Sequence, residues 1–164
     1  MQIEMNIKGL MIDPITNMPI IILRDQEGQR ILPIWVGVFE ANAIALQIEN
    51  VQTPRPMTHD LLKNIIGDLS ASVERIVVTE LKENTFYARI HLRRNGTAIE
   101  VDARPSDAIA LALRTQSPIF VEEAVIDSAR SVDGSRDASS SMDVTRLQKW
   151  LENLSDDELG KYKM

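Results

Sequence analysis

Within ten residues, Asp102-Ala103-Arg104-Pro105-Ser106-Asp107-Ala108-Ile109-Ala110-Leu111, the chain sets two carboxylates, a guanidinium and a hydroxyl at the mouth of an apolar run. A carboxylate accepts protons and holds hard cations, a guanidinium grips oxyanions, and a serine hydroxyl donates and accepts. The set therefore has the parts of a polar site. It also has the parts of a helix start. Pro105 biases Arg104 toward the extended backbone of a strand end. Ser106 is the best N-cap candidate, and Asp107 puts negative charge at the positive end of the helix dipole. The run from Ala108 to Leu113 is apolar on every face, which marks a buried helix. Cap and site both remain open readings of the same residues.

A hairpin leads into this stretch. Asn95-Gly96 is the strongest two-residue turn signal and favours type I′. That turn sets His91 opposite Glu100, Arg89 opposite Asp102, and Tyr87 opposite Arg104. On the other face Leu92 meets Ile99, Ile90 meets Val101, and Ala88 meets Ala103. One register sorts the apolar residues to one side and pairs opposite charges on the other.

Upstream, Ile3, Met5 and Ile7 alternate with polar neighbours as in a half-buried strand. Asp13 to Asn17 reads as a turn, and Pro19 to Arg24 as a central strand. A hairpin loop at Asp25 to Gln29 returns the chain along Arg30 to Val36. A helix is expected from Val38 to Asn50, with Glu40 in its first turn and Ala41, Ile44, Ala45 and Ile48 on one face. The prolines of Pro54-Arg55-Pro56 exclude regular structure. Thr58 then caps a helix with Asp60 in its first turn and an apolar stripe of Leu61, Leu62, Ile65, Ile66 and Leu69. Further strands are expected over Val73 to Leu81, Thr85 to Arg93, Thr97 to Ala103 and Ile119 to Val121. Asn42-Ala43-Ile44-Ala45-Leu46 recurs as Asp107-Ala108-Ile109-Ala110-Leu111, each run following three strand-like segments. The simplest description is a duplicated β-β-β-α unit.

The chain has 164 residues, 44% hydrophobic and 26% charged, and describes an ordinary soluble domain with a short appendage. Cysteine is absent, which removes disulfides and thiolate metal sites. No signal-like N-terminus and no membrane-length apolar run occur, so a cytoplasmic location with no membrane partner is the expectation. A net charge of −6 lacks the overall basic footprint of a tight nucleic-acid binder, so any such binding should be local, weak and salt-sensitive. Residues 1–128 read as the main domain and residues 129–142 as a flexible Ser-rich linker. Residues 143–164 read as a short amphipathic helix and tail with the stripe Val144, Leu147, Leu151 and Leu154 beside Trp150.

Four motifs in order, Leu32-Pro33-Ile34-Trp35-Val36-Gly37, Pro54-Arg55-Pro56-Met57-Thr58-His59-Asp60, Asn84-Thr85-Phe86-Tyr87-Ala88 and Asp102-Ala103-Arg104-Pro105-Ser106-Asp107-Ala108, resemble the bifunctional nuclease family of bacteria and plants. The resemblance runs from about residue 3 to residue 126. It implies an α+β fold with a mixed, curved sheet and packed helices, self-association, and activity on both DNA and RNA. Phosphodiester cleavage needs an activated water, support for the equatorial oxygens and help for the leaving group. Glu40, Asp60, Asp102 and Asp107 are the candidate ligands for Mg²⁺ or Mn²⁺. His59 is the candidate general base, with Asp60, Asp102 and Asp107 as the other catalytic candidates. Arg55 and Arg104 are candidate phosphate holders, Arg89 and Ser106 their neighbours, and Tyr87 and Trp35 candidate base platforms.

Plainer readings stand beside these. Asp60 and Asp107 suit helix starts, and Asp102 and Glu100 suit cross-strand pairs with Arg89 and His91. Trp35 suits a core or subunit contact, and His91 a solvated face. Two functions follow: a metal-assisted nuclease without strong sequence preference, or a non-catalytic oligomeric module that binds a small anion or a protein partner.

Overall fold

A computed structural model describes residues 1–132. In chain order the elements are β1 (Gln2–Ile12), β2 (Pro19–Asp25), β3 (Ile31–Trp35), α1 (Val38–Ile48), α2 (Thr58–Asp68), β4 (Ala71–Lys82), β5 (Thr85–Arg94), β6 (Thr97–Ala103), α3 (Pro105–Thr115), β7 (Ile119–Glu122) and α4 (Glu123–Val132). The strands form one sheet in the order β3-β2-β1-β7-β4-β5-β6. Only β7 and β4 run parallel; the other neighbours are antiparallel. The fold is α+β with a mixed sheet. No described helix is long and apolar enough to cross a membrane.

The duplicated unit is visible in the topology. Strands β1-β2-β3 followed by α1, and β4-β5-β6 followed by α3, repeat one β-β-β-α order on either side of β7. α1 and α3 pack on one another, with α2 as the connection that also lies on α3. The Asn95-Gly96 hairpin has the expected register, from Arg94 opposite Thr97 to Ala88 opposite Ala103. Both turn residues take positive φ, 49° at Asn95 and 76° at Gly96, as a type I′ turn requires.

The core sits between the sheet and the α1–α3 pair. Ile21, Leu23, Ile76, Val78 and Ala88 face Ile44, Ala108, Ile109 and Ala112 across it. Strand periodicity turns Ile20 and Ile22 to the opposite face, where they cluster with Met11, Ile31 and Trp35. The Trp35 indole N–H donates to Asp13 Oδ2 at 2.9 Å, so this ring belongs to packing. The small side chains of α3 let it lie deep in the core.

Three local expectations are corrected. Ser106 does not cap α3: Arg104 is the N-cap residue, Pro105 stands in the first turn, and Ser106 is buried. Pro105 lacks an N–H and tolerates the N1 position, which moves the helix start two residues earlier. Likewise Met57 rather than Thr58 is the N-cap of α2, and the Met57 N–H donates to Asp60 Oδ2 at 2.9 Å. The apolar stripe of α2 faces solvent: Leu61, Leu62, Ile65 and Leu69 are exposed, and only His59 of this helix is buried. Finally, residues 129–132 continue helix α4 rather than opening a linker, because Val125, Ile126 and Ala129 pack on the core. The rest of the linker and the helix expected over residues 143–164 lie outside the described residues.

Candidate active site

Three helices begin at one place. Glu40 lies in the first turn of α1, His59 in that of α2, and Arg104 and Asp107 at the start of α3. Neither α1 nor α3 has a side-chain cap. Their first-turn amides and dipoles therefore concentrate positive potential here, the condition under which helix starts attract anions.

A continuous polar chain joins these starts. His59 Nε2 lies 2.9 Å from Asp107 Oδ1. Arg104 Nε donates to Asp107 Oδ2 at 2.9 Å, and Arg104 Nη2 donates to Glu40 Oε1 at 2.8 Å. Burial acts to raise the Asp107 pKa, but hydrogen bonds and charge from Arg104 and His59 outweigh it and hold the carboxyl below its ordinary range. Arg104 is raised in turn by its bonds to Asp107 and Glu40. An ionised carboxylate only accepts, so the His59 nitrogen facing it carries the proton. In the neutral ring Nδ1 is then left as the basic nitrogen. This is the geometry of a histidine oriented by an aspartate.

Glycine at position 37 leaves room for the flexible end of Glu40. Its φ of −69° suits any residue, but a Cβ there would collide with Glu40 Oε2. The Glu40 carboxylate lies back over its own helix start and reaches Arg104 with its other oxygen.

The cluster opens onto a groove of about 600 Å³ between α1, α2 and strands β5 and β6. Its volume lies within the ~300–1,000 Å³ typical of ligand sites. Phe39, Ala43 and Leu46 of α1, Met57 and Leu62 of α2, and Ile90 and Val101 of the sheet make apolar walls around the charged residues. Asp102 borders the same groove.

The structure thus brings together Glu40, His59, Arg104 and Asp107; Asp102 borders the groove but stands opposite Arg89 in the β5–β6 ladder and shares that residue's face, and the other candidates lie elsewhere. Asp60, the very next residue, turns the other way and accepts from Arg114 Nε at 2.7 Å. Arg55 lies on a second cavity of about 380 Å³, along with Asp60 and Arg114. Tyr87 and Arg89 are exposed and out of phase with Ala88 and Ile90, so they stand on the face of the sheet away from the groove. The His91–Glu100 pair does form, with Nδ1 to Oε1 at 3.6 Å.

Arg114 is the residue that sequence reading overlooked. Its side chain is only 3% exposed. Besides Asp60 it donates to the carbonyls of Ala110 at 2.9 Å and Ala43 at 3.0 Å, tying α1, α2 and α3 together behind the site. An arginine inside an otherwise apolar helix is the available signal, since a buried cation must have partners. For Asp60, burial acts to raise its pKa, yet the Met57 amide and Arg114 hold it below the ordinary value.

The four carboxylates proposed for a metal do not form a ligand cluster. Among the described residues no group of three or more His, Asp or Glu is placed to hold a metal ion. Glu40 and Asp107 share one guanidinium, and Asp60 serves another. The donor set as arranged here fits charge-neutralised ion pairs rather than a Mg²⁺ or Mn²⁺ cage.

Comparison with known proteins agrees with the motifs. The family model described as the bifunctional nuclease domain matches residues 21–133. An uncharacterized protein of Mycobacterium tuberculosis is 38% identical over 161 residues, covering 94% of this chain and 96% of that protein. Bifunctional nuclease 2 of Oryza sativa subsp. japonica is 30% identical over 137 residues, 80% of this chain and 42% of its own length. Bifunctional nuclease 1 of Arabidopsis thaliana is 31% identical over 109 residues, 64% of this chain and 34% of its own. The chain spans less than half the length of these two plant relatives.

Proposed function

Because the chain belongs to the bifunctional nuclease domain family, we propose that its groove hydrolyses phosphodiester bonds of DNA and RNA without strong sequence preference. The observation that carries this reading is the Glu40–Arg104–Asp107–His59 chain at three joined helix starts. Arg104 is 65% exposed and meets the incoming phosphate, exchanging a carboxylate oxygen for a phosphate oxygen. The uncapped amides of α1 and α3 support the charge that grows on the equatorial oxygens. His59 Nδ1 takes a proton from water as the water oxygen bonds to phosphorus. The bond from phosphorus to the leaving sugar oxygen then breaks, and the resulting imidazolium, stabilised by Asp107, is the proton source for that oxygen. These contacts address the backbone and carry no base information, which accounts for weak sequence preference. With a chain charge of −6, binding rests on this local positive field and weakens with salt.

A second reading, a non-catalytic oligomeric module for a small anion or a protein partner, is favoured by two facts. Arg104 is already held by two carboxylates, and the α2 stripe is open to a neighbouring subunit. Digestion of single- and double-stranded DNA and RNA by protein free of host nucleases, in Mg²⁺, Mn²⁺ or EDTA, separates them. Wild type is expected to cut both nucleic acids, and folded His59→Ala to lose ~100-fold or more in rate. Wild type that cuts nothing under any of these conditions leaves only the binding module.

A further inference from the structure

Both aromatic residues expected to stack a base, Trp35 and Tyr87, stand away from the groove, which leaves an aromatic that the motifs do not include. Phe39 lines the groove with its side chain almost wholly in solvent, 89% exposed, the residue next to Glu40. We infer that Phe39 is the stacking platform for an unpaired nucleobase attached to the phosphate that Arg104 receives; this rests on the nuclease reading above.

Several features converge on that occupant. Phe39, Ala43 and Leu46 repeat at helical spacing along α1 and form one apolar wall. Met57 and Leu62 of α2 form another wall, and the charged cluster lies between. A ligand matched to this arrangement has a flat apolar body joined to an anion, as a nucleotide does. Every base offers a π-face, so a phenyl ring here binds without reading sequence, in keeping with two nucleic-acid substrates. A base held in a duplex hides its faces between neighbours, so the platform serves single strands and frayed or looped sites. Substrate class thus follows from the wall and bond cleavage from the cluster.

The test uses a short phosphorothioate-linked single strand carrying 2-aminopurine, whose fluorescence is quenched on stacking, and the same strand annealed to its complement. Wild type is expected to quench the single strand on binding and to leave the duplex signal unchanged. Phe39→Ala should abolish the quench and weaken single-strand binding about 5- to 150-fold, while Phe39→Trp retains both. In cleavage of an unmodified strand, Phe39→Ala should raise KM more than it lowers kcat. Equal affinity and quench in Phe39→Ala overturn the inference. So does a change of oligomeric state in Phe39→Ala by sedimentation velocity, which assigns the ring to a subunit contact. Single-strand binding that depends on Arg104 but not on Phe39 leaves the nuclease reading standing; no binding at all removes both.

Discussion

Two ion-pair systems meet at the first turn of α2, and adjacent residues feed them. His59 belongs to the groove cluster, where Arg104 is 65% exposed and its carboxylate partners come from α1 and α3. Asp60 belongs to the clamp behind it, where Arg114 is 3% exposed and every donor direction described ends on a carboxylate or a carbonyl. The chemistry of the two is nearly the same: one arginine, one or two acids, helix ends. Solvent access separates their work. A buried guanidinium has no alternative partner, so it holds three helices in place. An exposed one can release a carboxylate and accept a phosphate at small cost, because water screens the exchange.

The comparison predicts opposite outcomes for the two arginines. Arg114→Met should give the largest effect on stability, about 3–4 kcal/mol, since it leaves Asp60 and two carbonyls without their partner. Denaturant unfolding measures it, and a loss under 1 kcal/mol would mean that the clamp is not structural. Arg104→Ala should cost ~1 kcal/mol or less in the same assay. Its nuclease rate should nevertheless fall ~100-fold or more. A variant that is unstable yet fully active would reverse the assignment of the two systems.

Acid separates them less strongly. Asp60 and Asp107 are both held below their ordinary value of 3.8 in the folded protein. A lowered folded pKa contributes stability that is complete above the unfolded value and drains away as pH falls through the folded one. Acid unfolding should therefore steepen below about pH 3.8, and Asp60→Asn or Asp107→Asn should each flatten that limb of a pH–stability curve. A limb that stays as steep in both variants would place the acid-sensitive carboxylates elsewhere. The smallest effect is expected from Gly37→Ala, which pushes the Glu40 carboxylate off its seat with little change in stability. Its readout is a modest loss of rate, severalfold at most; a rate equal to wild type would show that Glu40 is not needed to hold Arg104.

Much of this molecule is legible in its sequence. The β5–β6 register followed from one Asn-Gly turn and two alternating patterns, because turn geometry and side-chain phase are local and mutually checking. The stretch Asp102 to Leu111 announced both a strand end and a buried helix, and it does supply Arg104 and Asp107 to the site. The repeated five-residue run signalled the duplicated β-β-β-α order. What misled was also local. Ser106 and Thr58 looked like caps, but proline at the start of α3 moved that boundary two residues earlier, and a backbone bond from Met57 to Asp60 moved that of α2 by one. The α2 stripe is apolar yet exposed, because periodicity reports amphipathicity and not what lies opposite.

Sequence alone determined the elements, their phase, the sheet register at the hairpin, the family, and the kinds of polar residue available for chemistry. These depend on neighbours a few positions apart, or on motifs that are themselves continuous. Only the tertiary structure decided which of those residues meet. It parted His59 from Asp60 onto opposite sides of one helix turn, sent Arg55 to a second cavity and Tyr87 to the far face, and set Glu40 beside Arg104 across 64 positions of chain. The reason is packing: how three helices lie on a twisted sheet fixes which starts converge, and no short-range pattern contains that angle.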